Sequence, residues 1–193
     1  MTASRIQQAA LELFAQQGYE ATSMTQIAEA TGIKKPSIYA HFKSKEDLFL
    51  HVVQQVYENE LDAIKALFLS QQTQALEVQL YSLLRGYVER YEQDPELKFM
   101  IRMSFFPPAA LEKQVMTQVY VFLDQIEHKL VPFMRQAAQD GDIAKIEPEQ
   151  AATAFMCLLD GIFVELLYGG KARSLRKLES AWYVYWRGLS LQN

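Results

Sequence analysis

Ser23 followed three residues later by Gln26, then Gly32, then Lys35-Pro36, is a run of punctuation that admits two short helices with a sharp corner between them and little else. Serine and glutamine at that spacing form a capping box, in which each side chain satisfies an orphan backbone donor of the other. The first helix therefore starts after Ser23, with Met24, Ile27 and Ala28 on one face. Gly32 can take a left-handed backbone conformation at no steric cost, so the helix stops there and the chain turns, with Ile33 packing the corner. Pro36 suits a first helical turn, where a missing amide is no loss, so a second helix is expected from Lys35 through Phe42. Ile38 and Phe42, four apart, mark its core side.

The other side of that second helix carries Lys35, Ser37, Tyr39 and His41, and a helix-turn-helix presents the N-terminal residues of its second helix to base edges. Lys35 can donate to guanine acceptors, the Ser37 hydroxyl can pair with either kind of edge, and the Pro36 ring can touch a thymine methyl. Tyr39, His41 and Lys45 are placed for phosphates, which fix register without carrying sequence information. From Ala30 to Lys45 there are four lysines, one histidine and no acid, in a chain whose net charge is −4. The positive field is local. Lys34 sits between two roles, a phosphate contact and an ordinary solvated lysine.

Residues Ile6 to Leu48 resemble the DNA-binding domain of the TetR family of bacterial transcriptional regulators. An ordered set carries the resemblance: Ile6, Ala9, Ala10, Leu13 and Phe14, then Gly18-Tyr19, Thr22-Ser23, Ile27-Ala28, Gly32-Ile33, Ile38-Tyr39, His41-Phe42, Lys45-Glu46 and Leu48. It implies base contacts from Lys35, Pro36 and Ser37, and phosphate contacts from Tyr39, His41 and Lys45. It also implies contacts from Thr22, Ser23 and Thr25 to the DNA backbone or a flanking base. Lys34-Lys35 departs from the pattern, because a small residue often precedes the lysine, and the operator sequence is left open.

Period-two alternation is scarce and helix stops recur, so the expected fold is all-α. Residues 1–47 are expected to form a three-helix helix-turn-helix DNA-binding domain, and residues 48–193 a helical bundle for effector binding and dimerisation. Ser44 and Asp47 open a long helix running to about Leu69. A helix from about Gln74 to Tyr91 precedes one begun by Asp94-Pro95-Glu96. Pro107-Pro108 launches another from Ala109 toward Ala138, with Pro132 inside it, and Asp140-Gly141-Asp142 ends it. Pro148 opens a helix closed by Gly169-Gly170, and the last is expected from about Leu175 to Leu191.

A single cysteine, Cys157, in the run AFMCLLDGIF offers no disulfide framework or metal-finger spacing and reads as a small core residue. The opening MTASRIQQAALELF has helical periodicity rather than the apolar block of a signal peptide, so the expected compartment is the cytoplasm. The window Ala151 to Tyr168 is interrupted by Asp160 and Glu165, which argues for a buried helix and against a membrane span. No cofactor and no catalytic residue is expected. His41, His51 and His128 are dispersed, and Asp124 with His128 reads as a surface pair rather than a metal site.

Between Leu76 and Val131 the chain is rich in tyrosine, phenylalanine, methionine and leucine with few charges, the composition of a site for a small hydrophobic or aromatic effector. Tyr81, Arg85, Tyr87, Arg102, Phe106, Tyr120 and Phe155 are the candidates, against the alternative that such a stripe is ordinary core. Arg102 would favour an anionic or carbonyl-bearing ligand if it points inward and is a surface charge if it points outward. The last two helices carry Leu159, Phe163, Leu166, Trp182, Tyr185, Trp186 and Leu189, more apolar surface than one stripe. A symmetric dimer through a four-helix bundle is expected, the alternative being that these residues fill the monomer's own core. The sequence thus predicts a dimeric, ligand-responsive repressor on a roughly palindromic duplex operator. A DNA-binding scaffold that recruits a protein partner without a small effector is the other reading.

Overall fold

The computed structural model describes residues 2–190, which form nine α-helices and a short 3-10 turn, with no strand among them. The helices are α1 (Thr2–Ala21), α2 (Met24–Thr31), α3 (Lys35–Tyr39), α4 (Lys45–Ser70), α5 (Leu76–Arg90), α6 (Pro95–Phe105), α7 (Glu112–Asp140), α8 (Pro148–Tyr168) and α9 (Gly170–Leu189). The 3-10 turn, Ala109–Leu111, lies between α6 and α7. Helix starts follow side-chain chemistry: Asp94 accepts from the Leu97 amide at 3.0 Å with Pro95 in the first turn, and Ser44 accepts from the Asp47 amide at 3.0 Å.

Two boundaries differ from the sequence reading. α3 ends at Tyr39 rather than Phe42, because the amides of both His41 and Phe42 turn back onto the Ile38 carbonyl, which drops Phe42 into the core. α9 begins at Gly170 rather than Leu175, because Gly170, at φ 70°, completes the reversal after α8 in one residue. The expected end at Leu191 lies outside the described residues. Within α1, Gly18 departs from helical geometry with φ 83° and ψ 170°, a conformation open essentially to glycine alone.

The chain packs as two compact units, Met1–Glu60 with Gln93–Tyr120 and Leu61–Glu92 with Val121–Asn193. This packing division cuts across α4 and α7, whereas the boundary drawn at residue 47 follows the end of the reading motif. In the first unit Ile6, Ala10 and Phe14 of α1 pack with Ile27, Ile38, Leu48 and Phe49, all fully or nearly fully buried. The Phe49 ring meets Phe14 edge-on at 4.9 Å and Tyr19 at 4.8 Å. α6 closes this core through Phe99 and Ile101, and its Ser104 hydroxyl lies 3.0 Å from that of Tyr57. Burial pushes the Tyr57 hydroxyl up to about 12, the bond to Ser104 opposing the shift.

In the second unit α8 and α9 form a hairpin. Tyr185 donates to the Ala151 carbonyl at 2.9 Å near its open end, and Glu165 holds Arg173 at 2.7 Å and Lys177 near its turn. α5 packs against both, with Tyr87 edge-on to Phe163 at 4.9 Å and Tyr81 5.4 Å from Trp182. α8 is long and apolar enough to cross a membrane by length and composition, but Phe155, Met156, Leu159, Ile162, Phe163 and Leu166 are buried within the unit. Cys157 departs from its expected place in the core. It is exposed, because the buried stripe of α8 runs through its neighbours Phe155, Met156 and Leu159 and leaves position 157 on the opposite face.

Candidate nucleic-acid interface

The capping box at the start of α2 is formed as the sequence predicts: the Gln26 amide donates to Ser23 Oγ at 3.2 Å and the Ser23 amide to Gln26 Oε1 at 2.8 Å. At its other end Gly32 sits at φ 67° and ψ 26°, and the Ile33 amide reaches back to the Ala28 carbonyl at 3.0 Å. That is the backbone pattern of a left-handed helix stop. Thr31 is buried with its hydroxyl on the Ile27 carbonyl at 2.7 Å, and Arg5 of α1 donates to the Thr31 carbonyl at 3.4 Å. Both ends of α2 are thus fixed before α3 begins.

α3 is a single short helix anchored by one residue. Ile38 is 0% exposed, whereas Lys34, Lys35, Pro36, Ser37 and His41 are exposed and Tyr39 is 47% exposed. The face and the hydroxyl of the Tyr39 ring are both available to an outside partner. The exposed side of α3 therefore gathers in one place the readers and most of the phosphate candidates that the sequence singles out.

Lys45 is placed differently. Its Nζ donates to the Tyr19 carbonyl at 2.9 Å and the Thr22 carbonyl at 3.0 Å and lies 4.2 Å from the centroid of the Tyr19 ring. The ammonium thus ties the start of α4 to the end of α1, just after the break at Gly18, where the Tyr19 carbonyl also accepts from the Thr22 amide at 3.3 Å. An ammonium has three protons, so one remains for an outside acceptor. No spacing in the sequence announces this link, because its partners are more than twenty positions away in the chain.

The three residues at the start of α2 divide. Thr22 is 1% exposed, its hydroxyl donating to the Gly18 carbonyl at 2.8 Å and accepting from Gln17 at 3.2 Å, so this side chain braces the α1 break. Ser23 is exposed with its oxygen committed to the cap, and Thr25 is exposed.

The seven effector candidates do not converge on one cavity. Tyr87 and Phe155 are fully buried in the packing of the second unit, and Arg85 is exposed in an ion pair with Glu89 at 2.8 Å. That pairing holds the Glu89 carboxyl below the usual range. Tyr81 borders a groove between α5 and α9. In the first unit Tyr120 is 59% exposed, while Arg102 and Phe106 border a cleft of about 280 Å³ with Phe14, Tyr19, Phe49 and Phe99. Arg102 is exposed there, at the edge of the cleft.

Of the residues expected between two copies, Leu159, Phe163, Leu166, Trp182 and Leu189 are buried inside the chain's own second unit, with Tyr185 and Trp186 partly so. What α8 and α9 leave outward is a different set, which includes Ala154, Cys157, Asp160, Gly161 and Val164 on α8, and Ser180, Tyr183, Val184, Arg187 and Gly188 on α9. Hydrophobic content alone marked these helices, and it could not separate the stripe facing α5 from the stripe facing outward. Asp124 and His128 are both exposed on α7, and no group of three or more His, Cys, Asp or Glu side chains that could hold a metal occurs among the described residues.

Residues 6–52, the span that carries α1 to α3 and the start of α4, match the sequence profile described as "Bacterial regulatory proteins, tetR family". Over 193 residues the chain is 25% identical to an uncharacterized HTH-type transcriptional regulator, YvkB, of Bacillus subtilis, covering 98% of this chain and 97% of that protein. Its fold is similar to a crystal structure of a putative TetR-family regulator from Mesorhizobium loti, with a TM-score of 0.78, 24% identity and coverage of 98% and 97%. It is also similar to a gamma-butyrolactone receptor described as ArpA-like, with a TM-score of 0.64, 23% identity and coverage of 98% and 88%.

Proposed function

We propose that this chain, which matches the TetR family of bacterial transcriptional regulators over residues 6–52, is a cytoplasmic repressor that binds a roughly palindromic DNA operator as a homodimer and is released by a small hydrophobic or aromatic effector. One observation carries this reading. The single buried residue of α3, Ile38, pins a helix whose remaining side chains, Lys35, Pro36, Ser37 and Tyr39, are left in water. Lys35, Pro36 and Ser37 meet base edges in the major groove, and Lys34, Tyr39 and His41 meet phosphates. Lys45 offers its remaining proton to a phosphate while holding the end of α1. Thr25 touches the backbone beside α2, Ser23 supports it through the cap, and Thr22 acts from behind by bracing the break at Gly18.

A second copy meets the outward stripes of α8 and α9, where Ala154, Gly161, Ser180 and Gly188 allow close approach. The buried residues Leu159, Phe163, Leu166, Trp182 and Leu189 stiffen those helices from within, with Tyr185 and Trp186 at the margin. Two-fold symmetry then spaces two reading helices by ~34 Å or more on one face of a duplex. Effector binding is coupled to DNA through α4, which begins at Lys45 in the reading unit and continues into the second. The coupling is reciprocal, so operator DNA weakens effector binding by the same factor that effector weakens DNA. A gamma-butyrolactone receptor of similar fold supports the small-molecule part of this reading. The reading contains no catalytic step.

Selection of bound fragments from random duplex DNA tests it. The expected result is a consensus with two inverted half-sites about one helical turn apart. Fragments without symmetry, or no enrichment over bulk competitor at moderate ionic strength, would overturn it.

A further inference from the structure

Between α5 and α9 lies an open groove of about 430 Å³, bordered by Tyr81, Trp182, Tyr183 and Trp186 together with Glu77 and Glu179. Its chemistry is unlike that of the core beneath it. Trp182 and Trp186 stack at 5.6 Å with their planes 14° apart, and Tyr81 stands 5.4 Å from Trp182 on the facing helix. Tyr183 is 60% exposed. The carboxylates of Glu77 and Glu179 have no hydrogen-bond or ion-pair partner among the described residues. Aromatic faces carry negative charge density and attract cations, and unpaired carboxylates on the same walls add to that field.

The groove already holds one cation of the chain's own. Arg187, which also borders it, places its guanidinium 5.5 Å from the Tyr183 ring centroid and donates to the Tyr183 hydroxyl at 2.7 Å. We infer that this groove is a binding site for a small organic cation, a quaternary or protonated alkylamine, whose head sits against the indole and phenol faces between Glu77 and Glu179 and which competes with Arg187 for Tyr183. Two carboxylates without partners outnumber the one arginine, which the Tyr183 hydroxyl and ring hold in place, so the net field of the groove favours a cation over an anion. On α9 the groove residues Glu179, Tyr183 and Trp186 lie toward the α5 side, and Arg187 borders the neighbouring exposed stripe of Ser180, Val184 and Gly188. Binding is read in the absence of DNA, so its failure and the failure of the regulator reading are separately visible.

Trp182 and Trp186 are the two tryptophans of the chain, so intrinsic fluorescence reports on this groove directly. The full chain is titrated with hexyltrimethylammonium, and with hexanoate and hexanol as the anionic and neutral companions of equal chain length. The expected result is a saturable change in tryptophan emission with the cation and none with hexanoate. Hexanol should bind weakly if at all. The double variant Glu77→Gln with Glu179→Gln, changed at surface carboxylates and checked for an unaltered helical signal, should weaken the cation by about tenfold. Tyr81→Leu, which keeps both reporters, should weaken it by about threefold. Arg187→Gln should tighten it by about twofold, because the competing guanidinium is gone. No saturable change with the cation, an equal response to hexanoate, or a double-glutamine variant that titrates like the parent would each overturn the assignment.

Discussion

The first unit and the second bury their cores by the same means but specify their surfaces differently. Around α2 and α3, polar residues set the backbone before packing begins: the Ser23 and Gln26 cap, the left-handed Gly32 and the Pro36 turn fix where each helix starts and stops. With only Ile38 of α3 turned inward, what remains outside follows almost by subtraction. In α8 apolar residues run most of the way round, α9 is amphipathic with an aromatic-rich second half, and the two helices bury stripes against each other and α5. Which stripe faces out there is decided by long-range packing. A surface written in caps and turns can be read from sequence, and one written by helix rotation cannot.

That difference can be probed by mutation. The largest effect is expected from Leu159→Ala in the second unit, a cavity at a fully buried site, which should cost about 2–5 kcal/mol in urea denaturation. Lys45→Met should lower stability by about 1–2 kcal/mol as well as operator affinity, because two carbonyls at the end of α1 lose a charged donor. Lys35→Ala should leave the melting temperature unchanged while altering DNA binding. Equal stability for Lys45→Met and Lys35→Ala would mean that Lys45 serves DNA alone. Ser23→Ala should cost about 1 kcal/mol through loss of the cap.

The smallest stability effect is expected at the outward face of α8. Cys157→Ser should leave the melting temperature of the monomer unchanged, and the native thiol should react with a thiol reagent at a rate that falls as protein concentration rises. A concentration-independent rate would remove the outward stripe of α8 from the dimer contact.

The all-helical fold and the helix-turn-helix were legible because their signals are local: a cap spans three residues and a glycine stop spans one. α3 itself was shorter than its pattern, since Phe42 is apolar at helical spacing whether the chain reaches the core by continuing the helix or by turning back onto Ile38. The structural tasks of Thr22 and Lys45 were not legible. Both bond carbonyls beside the break at Gly18, and a glycine near the end of a helical stretch does not reveal its φ. The exposure of Cys157 is hidden for a related reason, because a residue amid an apolar run has no sequence mark of the face it occupies. Likewise, composition marks the effector candidates but does not distinguish Tyr87, packed on Phe163, from Tyr81, at the edge of a groove.

Whether the exposed side of α3 reads base sequence is tested most directly by repeating the duplex selection with Lys35→Ala beside Tyr39→Phe, each compared with the parent chain. Lys35→Ala should relax the preference at one position of each half-site, and Tyr39→Phe should weaken all bound sequences alike without changing the consensus. An unchanged consensus with Lys35→Ala, or the same loss of selectivity from both substitutions, would contradict the account.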